Sequence, residues 1–144
     1  MTAPPEALIQ DAYLALIQAE LNTMVRTPKP TVYAWDDAPQ EGADYVMVTV
    51  DRTVGEGAFT FGGVTTGIDQ YDLIVRSVGR SHDACVVLLH RASVAVESKR
   101  AALPDGRYTT PARFEGQQQD PTVDEDDQSF IFASRAFTVT LARG

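Results

Sequence analysis

Tyr71-Asp72-Leu73-Ile74-Val75-Arg76-Ser77-Val78, then Gly79-Arg80-Ser81, then His82 to Arg100, is the stretch on which the fold turns. Its first run is β-branched and aromatic and predicts a strand. The residues from His82 onward are rich in Ala, Leu and Val and predict a helix. The apolar period changes from two to about 3.6 across the turn. Ser81 is placed as an N-cap, with Asp83 near the positive end of the helix dipole and Lys99 and Arg100 at the negative end. Cys85, Leu88, Leu89, Ala92, Ala95 and Val96 recur at spacings of three and four, so one stripe faces a sheet. Val86, Val87 and Val94 fall partly outside that stripe. A helix with apolar residues on more than one side has more than one partner, which makes these three valines candidate interface residues.

Working outward, residues 5 to 26 predict an amphipathic helix. Leu8, Ala12, Tyr13, Leu16, Ile17, Leu21, Met24 and Val25 share a stripe opposite Gln10, Asp11, Gln18 and Asn22. Pro4 or Pro5 suits its start, and Thr27-Pro28-Lys29-Pro30 cannot continue it. Thr31 to Trp35 is a short strand, and Asp36 to Gly42 is a loop. Tyr45 to Asp51 is the clearest strand: Val46, Val48 and Val50 form one face, and Tyr45, Met47 and Thr49 the other. Both faces are apolar enough to predict a central strand covered on each side. Residues 52 to 69 carry five glycines with Phe59 and Phe61, and predict a protruding hairpin or functional arm that turns at Gly62-Gly63.

Beyond the helix, Leu103-Pro104-Asp105-Gly106 is a turn, and Arg107 to Phe114 is a short strand that Pro111 confines to an edge. Glu115 to Gln128 reads as a loop and Ser129 to Arg143 as a long last strand. Along that strand, either Ile131, Ala133, Phe137, Val139 and Leu141 share a face interrupted by Arg135, or a bulge near Ser134 to Ala136 shifts the register. The order is helix, strand, strand, arm, strand, helix, strand, strand. This is an α+β pattern, a mainly antiparallel sheet with both helices packed on it and a glycine-rich arm.

At 144 residues the chain predicts one domain, residues 1–144, with a real core. A single Cys excludes a disulfide framework. Neither a signal sequence nor a membrane span is apparent, so a soluble protein made in a cytoplasm is expected. Lys and Arg total 12 against 20 Asp and Glu, a net charge of −8, which argues against gripping a phosphate backbone. Glu115, Asp120, Asp124, Glu125, Asp126 and Asp127 supply six acids and no base within residues 115 to 128; without them the balance is 14 acids to 12 bases. The acidity therefore belongs largely to one segment, which reads first as a solvated loop.

No catalytic arrangement emerges, and no cofactor is called for. His82 and His90 stand eight residues apart, roughly 12 Å along a helix, too far for one metal ion. Ser81, His82 and Asp83 are adjacent and cannot converge on one reaction centre, and Ser81 is better explained as a cap. Cys85 lies on the inward stripe, where a lone thiol behaves as a small hydrophobe. Asp124 to Asp127 lacks the spacing and central glycine of a calcium loop. Gly55-Glu56-Gly57 and Gly62-Gly63 are followed by neither Lys-Ser/Thr nor a helix. Tyr33 and Trp35 could stack a base or a sugar, but read more simply as cover for a core edge. Interaction is left as the default: aromatic residues on an arm, a helix with two apolar sides and a long last strand suit a subunit of a larger assembly.

The element order resembles that of the tail terminator proteins of long-tailed bacteriophages. The resemblance rests on the first amphipathic helix, the strand near Val32-Tyr33, the valine strand Tyr45 to Asp51, the arm, Tyr71 to Val75 leading into His82 to Arg100, and the terminal β region. It covers nearly the whole chain but contains no signature motif. It implies a virion protein made in the host bacterial cytoplasm, a subunit of a hexameric ring on the tail tube protein. Such a ring ends tube polymerisation and presents its other face to the head connector or stopper protein, while DNA passes the lumen without specific binding and no membrane is involved. Arg52 to Asp69 matches the family's arm, and Glu115 to Gln128 its variable region. Phe59 and Phe61 are expected on one side of the subunit contact, and Val86, Val87 or Val94 on the other. Asp124, Glu125, Asp126 and Asp127 would suit a lumen or a charged docking rim. The competing expectations are another head-to-tail joining protein and, from a different class, a small ligand-binding domain or enzyme with a pocket beneath the first helix.

Overall fold

The structure, a computed structural model, describes residues 4–25, 30–37, 44–52, 60–61, 64–65, 68–123 and 130–142. In chain order the elements are α1 (Pro5–Leu21), β1 (Thr31–Ala34), a 3-10 turn (Trp35–Asp37), β2 (Tyr45–Arg52), β3 (Thr60–Phe61), β4 (Val64–Thr65), β5 (Ile68–Gly79), α2 (His82–Val96), β6 (Arg113–Val123) and β7 (Ile131–Ala142). A five-stranded sheet has the order β1-β2-β5-β7-β6, and only the β1 and β2 pair is parallel. Both helices pack on one face, α1 over β1 and β2 and α2 over β5 and β7, and they touch each other. This is the predicted α+β architecture.

α1 starts on proline because the first-turn amides need no intrahelical partner; Ala7 and Leu8 donate to the Pro4 carbonyl at 3.0 and 3.2 Å. It ends at Leu21, short of the predicted residue 26. There Thr23 folds back, its amide and hydroxyl both donating to the Glu20 carbonyl at 3.1 and 2.7 Å. Met24 still reaches the core, but Val25 is fully exposed, so the expected stripe runs one residue too far. The innermost residues are Ile9, Tyr13, Ile17 and Leu21, four apart; Leu8, Ala12 and Leu16 flank them. Ile9, absent from the expected stripe, is wholly buried. Gln10 and Gln18, expected on the solvent side, serve backbone left unpaired beside the short strand β1. Val32 N–H donates to Gln18 Oε1 at 2.9 Å, Gln18 Nε2 donates to the Pro30 carbonyl at 3.1 Å, and Val50 N–H donates to Gln10 Oε1 at 3.3 Å.

β5 and β7 pair without interruption from Ile68 opposite Ala142 to Gly79 opposite Ile131. The unbroken register is therefore the correct one. Arg135 shares a face with Ala133, Phe137, Val139 and Leu141, and the bulge near Ser134 to Ala136 does not occur. The core joins Val46, Val48 and Val50 of β2, Tyr71, Leu73 and Val75 of β5, and Phe137, Val139 and Leu141 of β7 to the inward sides of both helices. Each fully buried Leu, Ile or Val side chain stabilises by roughly 1.5–3 kcal/mol relative to exposure.

α2 keeps the expected inward stripe, with Cys85, Leu88, Leu89, Ala92, Ala95 and Val96 all buried. The Ser81 hydroxyl caps it, accepting from Ala84 N–H at 3.1 Å. The helix stops at Val96 rather than Arg100. Glu97 is extended, Ser98 has φ +65°, and Ser98 N–H donates to the Ala112 carbonyl at 2.9 Å, drawing the chain into a bridge between Glu97 and Ala112. Lys99 and Arg100 consequently lie beyond the last turn and do not complement its dipole.

The largest departure from the sequence reading is β6. Residues 115–123, expected as loop, form most of this edge strand, whereas residues 107–112, expected as strand, do not belong to one. β6 is exposed along nearly its whole length and pairs with β7 alone, through two register shifts, with Gly116 at φ +84°. Without a buried face it needs no alternating apolar pattern, so a polar, glutamine-rich run can form it.

Candidate functional site

Three surfaces remain once the core is closed. The first is the outer side of α2. Val86, Val87 and Val94 are 42%, 46% and 48% exposed, and they share that side with Asp83 and His90, also exposed. Their position follows from helical geometry, since the sheet claims the opposite stripe and Arg91 faces α1 through an ion pair with Glu20 at 3.1 Å. The structure thus places all three predicted valines in solvent as a group. Of the other predicted contact residues, Phe59 and Asp124, Glu125, Asp126 and Asp127 lie outside the described residues. Phe61 stands in β3, opposite Val64 of β4, and the turn predicted at Gly62-Gly63 lies outside the described residues.

The second surface is the helix side of β6, which projects past the cover that α2 gives to β7. Phe114 lies against Phe137, ring centroids 6.0 Å apart, yet is 41% exposed. The Arg135 guanidinium sits 5.7 Å from the Phe114 ring, and its Nε donates to Gln118 Oε1 at 2.9 Å. An arginine that interrupts an apolar face is explained in this way: it closes the end of the core and reaches for the edge strand.

The third surface is the sheet face turned away from the helices. The valine strand was expected to be covered on both sides, but among the described elements no helix covers the face of Tyr45, Met47 and Thr49. Side chains cover one another there instead. The Arg76 guanidinium is held between Trp35 and Phe132, 4.6 and 4.7 Å from their rings, and Tyr33 and Tyr45 meet edge to face at 5.9 Å. Tyr33 and Trp35 thus cover an edge, the simpler of their two expected roles.

Toward the other end, this face turns polar. Asp51 of β2 is paired with Asp72 of β5, Asp72 with Thr138 of β7, and Thr138 with Arg113 of β6. Beside this row Gln70, Thr110, Pro111, Arg113, Phe114, Glu115, Thr138 and Thr140 line an open depression of about 540 Å³. The Glu115 carboxyl is pushed above its ordinary range, first by partial burial and then by its hydrogen bond to Asp72 and by that residue's charge. The sequence reading missed this row and the Arg76 stack. The alternation of Gln70, Asp72, Ile74 and Arg76 against Tyr71, Leu73, Val75 and Ser77 could have shown that β5 has a second, functionalised face.

Cys85 is buried, its thiol raised by desolvation and held within 3.3 Å of Ser77 Oγ, as fits an inward packing residue. Among the described residues no three or more His, Cys, Asp or Glu side chains are grouped to hold a metal ion, and no helix is long and apolar enough to cross a membrane.

No family model matches the chain, and no curated protein does. Solved structures do share its fold. One, whose description names no activity, superposes with a TM-score of 0.64 at 11% identity, over 99% of this chain and 99% of that one. Another is a chain of the virion of a native gene transfer agent particle, with a TM-score of 0.59 at 14% identity, over 97% of this chain and 99% of that one. At these identities the likeness is one of fold, and it extends from end to end.

Proposed function

We propose that this chain is a structural subunit of a virion, and that it works at the neck as a ring that caps the tail tube, ends its polymerisation and offers a docking surface to the head connector. The observation that carries this reading is the full-length correspondence in fold with a chain of the gene transfer agent virion, over 97% of this chain and 99% of that one. A structural role is further supported by the grouped exposure of Val86, Val87 and Val94, because apolar side chains gathered on one helix face gain most when a neighbour covers them. A ring needs complementary patches on two different sides of each subunit. The α2 valines would serve as one, and the Phe114 and Val123 side of β6, both residues exposed, as the other.

Particles assembled without this protein test the reading under electron microscopy. Overlong tails are the expected result. Tails of normal length that fail to join heads would instead identify a joining factor of the neck, and particles normal in both respects would remove the virion role.

A further inference from the structure

We infer that β6 is completed by a neighbouring copy of the chain, whose α2 lies over this strand and extends the helix layer across it, so that β6 is held firmly only in the assembly. The inference rests on the ring reading above and adds which two surfaces meet and what the meeting does to the strand.

The lack of cover over β6 has a simple cause. Strands in a sheet lie about 4.8 Å apart and a helix with its side chains is roughly 10 Å across, so two helices cover four strands. Here α1 takes β1 and β2, α2 takes β5 and β7, and the fifth strand falls outside. Every residue of β6 except Pro121 is exposed. A strand that buries so little gains almost no hydrophobic stabilisation against the entropy of ordering its backbone. Its ladder to β7 is also interrupted twice, between Phe114 and Gln118 and between Gln119 and Thr122. Cover from a second molecule supplies what the single chain lacks.

The helix side of β6 has the layout of a contact surface. Residues directly opposite one another in an antiparallel pair share a face. Phe114, opposite Phe137, Gln118, opposite Arg135, and Val123, opposite Ile131, therefore point to the side of the helices. Exposed apolar residues stand at both ends of this row, and a fixed polar chain lies between them. In it Arg135 Nε donates to Gln118 Oε1 at 2.9 Å, and Gln118 Nε2 donates to Asp120 Oδ1 at 3.0 Å.

The outer face of α2 repeats that arrangement. His90, exposed, is four residues from both Val86 and Val94 and three from Val87, which places it at the middle of the valine patch. Its imidazole carries an N–H in either protonation state, and the Asp120 carboxylate has lone pairs left after Gln118. Val86 and Val94 stand about 12 Å apart along the helix. That fits within the roughly 20 Å between Phe114 and Val123, taken along their partners on β7. The two surfaces match apolar ends to apolar ends and donor to acceptor, which makes a second copy the occupant.

Cross-linking tests the contact at its centre, where the direction of the helix across the strand does not matter. In His90→Cys combined with Gln118→Cys, both exposed positions, a short bismaleimide should join subunits into a ladder that runs past the dimer. The ladder is expected in purified protein at ring-forming concentrations and in assembled particles. Cys85 is buried and should stay unreacted, and either substitution alone should give no linked product. No product from the double variant would overturn the contact. A product that stops at the dimer would overturn it too, as would equal linking by His90→Cys alone, the sign that α2 meets α2.

Amide hydrogen exchange tests the effect on the strand. In Val86→Asp combined with Val94→Asp, and in wild type diluted to the monomer, the amides from Gln117 to Val123 should exchange about tenfold or more faster than in the assembly, while those of β5 change little. Amides of β6 equally protected in both states would show that the strand needs no neighbour and would overturn the coupling. Cross-linking that succeeds while particles lacking the protein have tails of normal length and intact heads would keep this contact and remove the neck role. Overlong tails with no cross-link would keep that role and overturn the contact.

Discussion

Tyr13 places its hydroxyl 2.8 Å from the Lys99 carbonyl and 3.1 Å from Thr109 Oγ1, 86 and 96 residues away in the chain. Thr109 Oγ1 in turn accepts from Ala101 N–H at 2.9 Å, so one buried phenol fastens the segment after α2 to the first helix. Tyr13→Phe keeps the ring and removes the phenol's hydrogen bonds, while the Lys99 carbonyl still accepts from Ala112 N–H at 3.1 Å and Thr109 Oγ1 from Ala101 N–H, so it should cost about 0.5–1.5 kcal/mol in urea denaturation. Burial also raises the Tyr13 phenol, its main cause, while the Thr109 hydrogen bond works against it. Its contribution to stability is kept below its ordinary value of 10.0 and is lost as the pH climbs through the raised one. Gly79 is the other residue that tolerates little change. A Cβ there would lie 2.9 Å from Cys85 N and 3.3 Å from Ala84 Cβ, against the backbone of the first turn of α2. Gly79→Ala should therefore push helix and strand apart at a cost of about 1–3 kcal/mol, which thermal unfolding would register as a fall of roughly 2–10 °C.

α2 shows how far the sequence could be read at the scale of an element. The Ser81 cap and the inward stripe from Cys85 to Val96 were legible because each depends on neighbours within a turn or two. Ser81→Ala should cost about 1 kcal/mol, measurable by chemical denaturation. The end of the helix was not legible, since it is decided by Ala112, a residue distant in sequence, whose carbonyl takes the Ser98 amide. β6 is the stronger case. Gln117, Gln118, Gln119 and Asp120 carry no apolar alternation, and only the free edge of β7 turns them into strand. The site divides along the same line. The valines of α2 could be found from helical periodicity, whereas the Arg76 stack and the row of Asp51, Asp72, Thr138 and Arg113 depend on which strands become neighbours, and that order was hidden until the sheet was closed.

For the whole molecule, the proposed assembly makes the α2 valines dispensable for folding and necessary for association. Val86→Asp combined with Val94→Asp alters exposed positions, where a substitution usually shifts stability by no more than about 0.5 kcal/mol each. The variant should melt within a few degrees of the wild type and sediment as a monomer under conditions in which the wild type forms rings. A variant that still forms rings would move the contact to another face.

The position of β7 has a consequence for how the protein is made. Five strands are laid down in the order β1, β2, β5, β6, β7, yet β7 belongs between β5 and β6. Until residues 131–142 leave the ribosome, β5 offers a bare edge twelve residues long, and β6 has nothing to lie against. Nascent chains at that stage are the ones most exposed to sticking together. A translation product broken off before β7 lacks an inner strand of its sheet, which leaves the incomplete copy open to proteolysis.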